Sequence, residues 1–126
     1  MDFLPAPDIH LKLKVIIKHL KLTHIDPSRI IAFRSQGSTS RARARIWNLP
    51  RVWQLGLSLK AHYIIEVISH YFDHLSDDDK TRVLIHELMH IPKNFSGALL
   101  SHRHGKHHRI DARSVETLFK TLRHHD

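Results

Sequence analysis

The sequence contains no cysteine, and it has only three glutamates beside fourteen histidines. Without cysteine, disulfides and thiolate metal sites are excluded, so any bound metal must be held by histidine, aspartate or glutamate. No apolar run approaches the roughly 18 to 20 residues that cross a bilayer, and the opening residues, MDFLPAPDIH, lack the pattern of a secretory signal. We therefore expect a cytoplasmic protein without disulfides and without a membrane partner.

Length and charge narrow the class of protein further. The 126 residues, 41% hydrophobic and 25% charged, are typical of one domain spanning residues 1–126. The net charge of +8 favours association with polyanions, and basic residues cluster in segments 34–45 and 102–113. Non-specific nucleic-acid binding through these segments is one prediction, and a charge that only keeps the protein soluble is the alternative. The predicted phosphate contacts are Arg34, Arg41, Arg43, Arg45, Lys106 and Arg109.

Hydrophobic periodicity predicts an α+β fold. Residues 7–25 place apolar side chains at helical spacing, and Pro7 suits a helix start. The following segments are predicted, in order, as a strand and turn (27–38), a half-buried strand or an extended segment (42–50), an ambiguous segment that suits a short helix (51–58), a strand (63–69), a helix (77–91) and a C-terminal helix (111–126). This order predicts a small mixed sheet packed against the N-terminal helix and the 77–91 helix, with a C-terminal helix.

The 77–91 helix carries a His-Glu-x-x-His motif made by His86, Glu87 and His90. A capping serine and three aspartates begin this helix, and Pro92 ends it. Positions four apart share a helix face, so both imidazoles can bind one ion while the glutamate lies beside the first. In zinc peptidases with this motif, the histidines bind zinc and the glutamate takes a proton from the metal-bound water.

The motif has two interpretations, a metal site or a chance pair of histidines. Random placement of these residue types would produce about 0.04 such motifs in the chain. The flanking residues are apolar, so His86 and Glu87 need partners, because an unsatisfied buried polar group costs about 1 to 3 kcal/mol. A metal would supply them. The sequence therefore predicts a zinc site with Glu87 as the general base.

A zinc site needs a third protein ligand. The positions where a metzincin has glycine and histidine hold Lys93 and Ser96, so that continuation is absent. The candidates lie downstream, where Gly97 lets the chain turn back toward the helix. In order of preference they are His102, His104 and His108, with His107 as the remaining histidine. The first is preferred because it follows the turn directly, after an apolar pair; for most of the others the alternative is a solvated basic loop.

Three segments carry a family resemblance: RIIAFRSQGSTSRARARIW, YIIEVISHYFDHLSDDDKTRVLIHELMHIP and FSGALLSH. They resemble small zincin-like metallopeptidases found in archaea and phages, and the resemblance covers most of the chain. It implies a minimal zincin-like fold, a peptide or protein substrate, and a zinc site with His86, Glu87, His90 and the histidine after FSGALL, His102. The stretch RHGKHHRID departs from the family in length and histidine content. A more distant similarity is to SprT-like proteases, which act on DNA-bound proteins.

Three functions remain open from the sequence. The first is zinc-dependent hydrolysis of peptide bonds; in zincin-like proteins an edge strand beside the active-site helix pairs with an extended substrate. YIIEVIS is the candidate for a strand packed on the motif helix; the alternative, which its apolar side chains favour, is a core strand with no part in substrate binding. The second function is a basic, nucleic-acid-associated module with a structural or protease-linked zinc. The third is metal binding without catalysis, although Glu87 within an apolar helix favours catalysis.

Overall fold

The computed structural model describes residues 1–105 and 108–124, and these form five helices and four strands. In chain order the elements are β1 (Asp2–Pro5), α1 (Pro7–His19), β2 (Ile30–Gln36), β3 (Ala44–Asn48), α2 (Arg51–Leu57), β4 (Tyr63–Ile68), α3 (Ser69–Phe72), α4 (Asp77–Leu88) and α5 (Ala112–Arg123). A 3-10 turn, Pro27–Arg29, leads into β2. The predicted α+β class is confirmed. None of the described helices combines the length and apolar character needed to span a bilayer.

The four strands form one open, mixed sheet in the order β1–β2–β4–β3. The two central strands, β2 and β4, run parallel, with Ile30 opposite Tyr63. The outer strands β1 and β3 pair antiparallel with their neighbours. β3 is therefore an edge strand, and it also contacts α4. One edge of the sheet thus lies beside the helix that carries the motif.

The core lies between the sheet and two helices. α1 and α4 contact the sheet and each other, and α5 packs on α4. Side chains alternate along a strand, so Tyr63, Ile65 and Val67 of β4 point into this core, where they are fully buried. They meet Leu13 of α1 and Leu84 of α4, which are also fully buried. Each such side chain stabilises the fold by roughly 1.5 to 3 kcal/mol.

Two elements were not predicted from the sequence. β1 is exposed along its whole length and contains a proline, so it has no periodic pattern of its own. It is a strand because it pairs with β2, from Asp2 opposite Gln36 to Pro5 opposite Phe33. The second is α3, which begins at Ser69, the residue at which the predicted strand was expected to end.

Arg34, in the basic segment 34–45, is held by two carboxylates. Its Nε donates to an Asp73 oxygen at 2.9 Å, and its Nη2 donates to an Asp8 oxygen at 3.0 Å. These contacts join β2 to the start of α1 and to the residue that follows α3. The charge of Arg34 is therefore already matched within the protein.

The remaining residues of the predicted nucleic-acid surface differ among themselves. Arg45 Nε donates to the fully buried Glu66 at 2.9 Å. Arg41 and Arg43 are exposed and form no ion pair within the described part of the chain. Lys106 lies outside the described residues. Nucleic-acid binding through these segments stays a prediction.

Candidate metal centre

α4 carries the first two residues of the motif and ends just before the third. It begins as predicted, because Ser76 Oγ accepts a hydrogen bond from the Asp79 N–H at 3.1 Å. It ends at Leu88, earlier than the sequence predicts. His90 follows in a tight turn, and its N–H donates to the Glu87 carbonyl at 3.1 Å. Glu87 and His90 are both buried, so the motif lies at the inner end of this helix.

His90 is oriented by a pair of hydrogen bonds to Leu100. Its ring nitrogen Nδ1 lies 2.6 Å from the Leu100 carbonyl oxygen, and the Leu100 N–H donates to the His90 carbonyl at 2.8 Å. Because a carbonyl oxygen only accepts, Nδ1 carries the proton. The other ring nitrogen, Nε2, therefore keeps its lone pair and can bind a metal.

The chain returns from α4 to the site through a turn at Gly97. This glycine has a φ of +94°, the left-handed region that glycine tolerates best, so the predicted turning point is confirmed. The Tyr63 hydroxyl accepts from the Gly97 N–H at 2.8 Å and donates to the Ala98 carbonyl at 2.7 Å. The sheet thus anchors the turn through Tyr63. Sequence reasoning missed this role, because a strand pattern does not show which distant backbone a buried hydroxyl will meet.

The side chains of His86, His90 and His102 converge on one point. One ligand nitrogen from each lies within 4.8 Å of the other two, and His86 Nε2 lies 3.2 Å from His102 Nε2. Two nitrogens bound to a tetrahedral zinc at 2.0 to 2.1 Å would be about 3.3 Å apart. The donor set therefore fits a metal ion, and no other such group occurs within residues 1–105 and 108–124.

Just beyond His102, two short stretches of the chain pair in an antiparallel β-bridge. Arg103 pairs with Arg109, and the His102 carbonyl accepts a hydrogen bond from the Ile110 N–H at 2.8 Å. The Ile110 side chain is buried. His102 is therefore held on both sides, by the Leu100 pair before it and by Ile110 after it.

Two other candidate histidines of this segment, His104 and His108, are not part of the cluster. His104 and His108 stack on each other, with ring centroids 5.6 Å apart and planes inclined by 20°. His104 Nδ1 lies 3.2 Å from the Ser101 carbonyl oxygen. His107 lies outside the described residues. Among the described candidates, the structure brings His102 alone to the two histidines of the motif.

The protonation states suit a cation site. Burial lowers the pKa of His86 to about 4, and the neighbouring imidazoles of His90 and His102 add to the effect. Burial also lowers the pKa of His90. Both imidazoles are therefore neutral near pH 7, the form that binds metals. In contrast, burial raises the pKa of Glu87 to about 8, and its Oε2 lies 3.9 Å from His86 Nε2. A buried carboxyl beside neutral imidazoles is a place where a cation would offset a negative charge.

A cavity of about 410 Å³ opens beside His86 and Glu87. Ala44, the first residue of the edge strand β3, and Arg43 just before it line this cavity, as does Val115 of α5. Ala44 and Val115 are buried, whereas Arg43 is exposed. The candidate metal centre therefore has open space next to its glutamate and next to a free strand edge.

Comparison with known proteins gives one family. The family model described as "Putative phage metallopeptidase" matches residues 1–126. No curated protein and no solved structure matches the chain. The matched range includes α4 and the segment that brings His102 to the motif. This chain, with three imidazoles placed to bind a metal, belongs to the phage metallopeptidase family that the model describes.

Proposed function

We propose that the protein is a zinc-dependent metallopeptidase, built as one domain over residues 1–126, in which Glu87 is the general base. The observation that supports it best is the convergence of three imidazole nitrogens beside a buried glutamate. The membership of the chain in a metallopeptidase family supports the same reaction. Peptides or proteins would be the substrates.

His86, His90 and His102 would hold the zinc ion through three ring nitrogens, and water or substrate would be the remaining ligand. When bound, the ion supplies a Lewis acid that polarises the peptide carbonyl and acidifies a water, and its charge favours ionised Glu87. Leu100 keeps His90 in the required tautomer and orientation by accepting the hydrogen bond from Nδ1.

Glu87 moves the proton in this proposal. Its carboxylate accepts a proton from the attacking water and returns it to the leaving amine nitrogen, so the side chain ends the cycle unchanged. The buried position of Glu87 keeps bulk water away from this transfer. Because Glu87 follows His86 directly on α4, the base and the first ligand are set by the same helix turn.

The edge strand β3 would position the substrate. Its outer side has no strand partner in the described sheet, so its backbone groups can pair with an extended peptide. Ala44 at the start of β3 lines the cavity beside Glu87. A peptide added to β3 would therefore pass the glutamate. YIIEVIS, the segment singled out from the sequence, forms the neighbouring interior strand β4 and supports this edge.

The test is hydrolysis of a mixed peptide library by the zinc-loaded protein, with cleavage products identified by mass spectrometry. We expect cleavage that a chelator abolishes, and we expect Glu87→Gln to slow it by about 100- to 10,000-fold, the usual contribution of a general base. The variant should keep its zinc, because Glu87 is not a ligand in this proposal. Asp78→Asn, the same change from carboxylate to amide at a half-buried position of α4 where the side chain pairs with Arg123, is the matched control. Cleavage that is insensitive to the chelator, or to Glu87→Gln, would contradict the proposal.

A further inference from the structure

Carboxylates are missing from the two chain segments that surround the candidate metal centre. No aspartate or glutamate occurs in residues 27–65 or in residues 88–110. Residues 27–65 contain six arginines and one lysine. The two glutamates that border these segments, Glu66 and Glu87, are both buried. The strand β3 and the segment after the motif therefore carry positive charge and no carboxylate, whereas α4 and α5 add Asp79 and Glu116 to the lining of the cavity beside Glu87.

A basic concavity in this region lies between α2 and residues 94–98, and we name it the α2 cavity. It has a volume of about 920 Å³, and its lining contains three cationic side chains and no carboxylate. The cationic residues are Arg29, Arg51 and Lys60. Arg51 and Lys60 are exposed and form no ion pair within residues 1–105 and 108–124.

Arg29 is held in place at the wall of the α2 cavity. Its guanidinium lies 4.8 Å from the centre of the Phe95 ring, and its Nη1 donates to the Ala61 carbonyl at 3.3 Å. Its ion-pair partner Asp26, at 3.1 Å, does not line the cavity. The lining of the cavity therefore has one cationic side chain held by several contacts, Arg29, and two exposed cationic side chains, Arg51 and Lys60.

The α2 cavity and the cavity beside Glu87 are joined by the free edge of β3. Asn48, at the end of this strand, lines the α2 cavity, and Ala44, at its start, lines the cavity beside Glu87. Four residue steps of a strand span about 13 Å. An extended peptide paired with β3 would therefore reach both cavities at once.

The side chains near the α2 cavity favour a peptide over a nucleic acid. Apolar residues dominate the exposed face of α2 and the residue just beyond it: Val52, Trp53, Leu55, Leu57 and Leu59. Four of these five side chains, all except Trp53, are aliphatic; aliphatic side chains do not stack on bases, whereas they pack readily against apolar side chains of a peptide. The unpaired edge of β3 offers main-chain hydrogen bonds, which an extended polypeptide can match.

We propose that the α2 cavity is a subsite for acidic side chains of the substrate peptide, about four residues from the scissile bond. The inference rests on the proposed function. A peptide that runs antiparallel to β3 passes from the α2 cavity toward Glu87, so its acidic residues lie on the N-terminal side of the scissile bond. A peptide that runs parallel to β3 places them on the C-terminal side.

Binding is measured by fluorescence anisotropy with zinc-loaded Glu87→Gln protein, which keeps the peptide intact. The probes are labelled peptides, amidated at the C-terminus, with a run of glutamates near either end, and versions in which glutamine replaces each glutamate. We expect one glutamate peptide to bind about tenfold more tightly than its glutamine version, since several exposed ion pairs together supply about 1.4 kcal/mol. We expect Arg51→Glu with Lys60→Glu to abolish that preference.

The control is Lys14→Glu with Lys120→Glu, which changes the net charge equally at exposed positions of α1 and α5. It should keep the preference. Equal binding of glutamate and glutamine peptides, or equal loss in both double variants, would overturn the subsite. An oligonucleotide or a phosphatidylserine vesicle that binds more tightly than the peptides, and is lost only in the α2-cavity variant, would assign the surface to that partner instead.

The failure of this inference can be separated from failure of the proposed function. Wild-type protein that cleaves glutamate and glutamine peptides equally well would overturn the subsite and leave the peptidase. Protein that shows the preference in binding, and loses it in the α2-cavity variant, but cleaves no peptide would leave the α2 cavity as a binding site for acidic peptides and overturn the peptidase.

Discussion

His102 differs from the neighbouring histidines in the hydrogen bonds around it. The backbone just before it is tied to His90 through Leu100. Its own carbonyl is bonded to Ile110. His104, by contrast, stacks on another histidine outside the cluster. Position along the backbone, more than residue type, decides which imidazole of this segment reaches the motif.

At the scale of single residues, we predict that replacing any one of the three clustered histidines lowers the zinc content of the protein. Wild-type protein supplied with zinc and then dialysed should hold about one zinc per chain. His86→Ala, His90→Ala and His102→Ala should each lose most of it, because each change removes one of three ligands. The measurement is inductively coupled plasma mass spectrometry on the dialysed protein.

His104→Ala and His108→Ala are the matched controls for that series, since they make the same change in the same part of the chain. Both should keep their zinc. Loss of zinc in His104→Ala with retention in His102→Ala would move the third ligand and contradict the assignment.

The sequence predicts the first part of this site better than the last. His86, Glu87 and His90 are related by local helix geometry, so their spacing along the chain gives their spacing in space. The position of His102 depends on the turn at Gly97 and on its contact with Tyr63, 34 residues away. Such long-range contacts leave no periodic signal, so the sequence could only rank the downstream histidines.

At the scale of elements, a helix or strand is predicted accurately when residues within the element itself stabilise it, and poorly when distant pairing does. α4 has a capping serine, a first turn of aspartates and a following proline, and its start was predicted correctly. β4 is a run of β-branched residues, and it was predicted to within one residue. β1 has only its pairing with β2 to define it, and that pairing depends on how the chain folds back.

Gly97→Ala tests the turn that joins these elements to the site. A Cβ at this position would collide with the Gln54 amide and the Leu49 carbonyl, and the positive φ adds about 1 to 2 kcal/mol of strain. We expect a loss of at least about 2 kcal/mol in the free energy of unfolding, with weaker zinc binding as His102 is displaced. Urea denaturation and zinc titration measure the two effects.

Gly56→Ala in α2 is the control for that experiment. A Cβ there meets no atom within 4 Å, and alanine favours a helix over glycine by up to about 1 kcal/mol. Gly56→Ala should therefore be neutral or stabilising and should keep full zinc binding. Equal behaviour of the two glycine variants would show that the turn does not require glycine.

At the scale of the whole molecule, Arg34 joins three parts of the fold. Its two carboxylate partners belong to the first turn of α1 and to the end of α3. The hydrogen bond from Arg34 lowers the pKa of Asp8. At Asp73 burial acts to raise the pKa, but the hydrogen bonds from Arg34 and Ser69 outweigh it, so this pKa is lowered as well.

These shifts predict how Arg34→Gln will behave with pH. Both carboxyls have a lower pKa in the folded than in the unfolded protein, so they stabilise the fold above about pH 4. That stability is lost as the pH falls through the folded-state pKa values. The groups are partly exposed and screened, so the contribution is about 1 kcal/mol. At pH 7 the free energy of unfolding of wild type should exceed that of Arg34→Gln by this amount. The difference should shrink toward zero near pH 3, as measured by urea denaturation.

Arg41→Gln provides the comparison, because Arg41 is an exposed arginine of the same segment without an ion pair among the described residues. Its free energy of unfolding should equal that of wild type at every pH. A difference for Arg34→Gln that is independent of pH would contradict the electrostatic explanation.

The bridge between Arg103 and Arg109 bears on how this chain can vary in length. His102 and Ile110 are held by their mutual hydrogen bond and by the burial of Ile110, on the site's side of that bridge. Insertions or deletions between the two arginines change only the closure of a loop, which depends weakly on loop length. A histidine-rich stretch can thus be lengthened, shortened or replaced during evolution without shifting the imidazole that completes the cluster. An insertion or deletion of one residue between His90 and Leu100 would not be tolerated in the same way. It would shift Leu100 and break the two hydrogen bonds that orient His90.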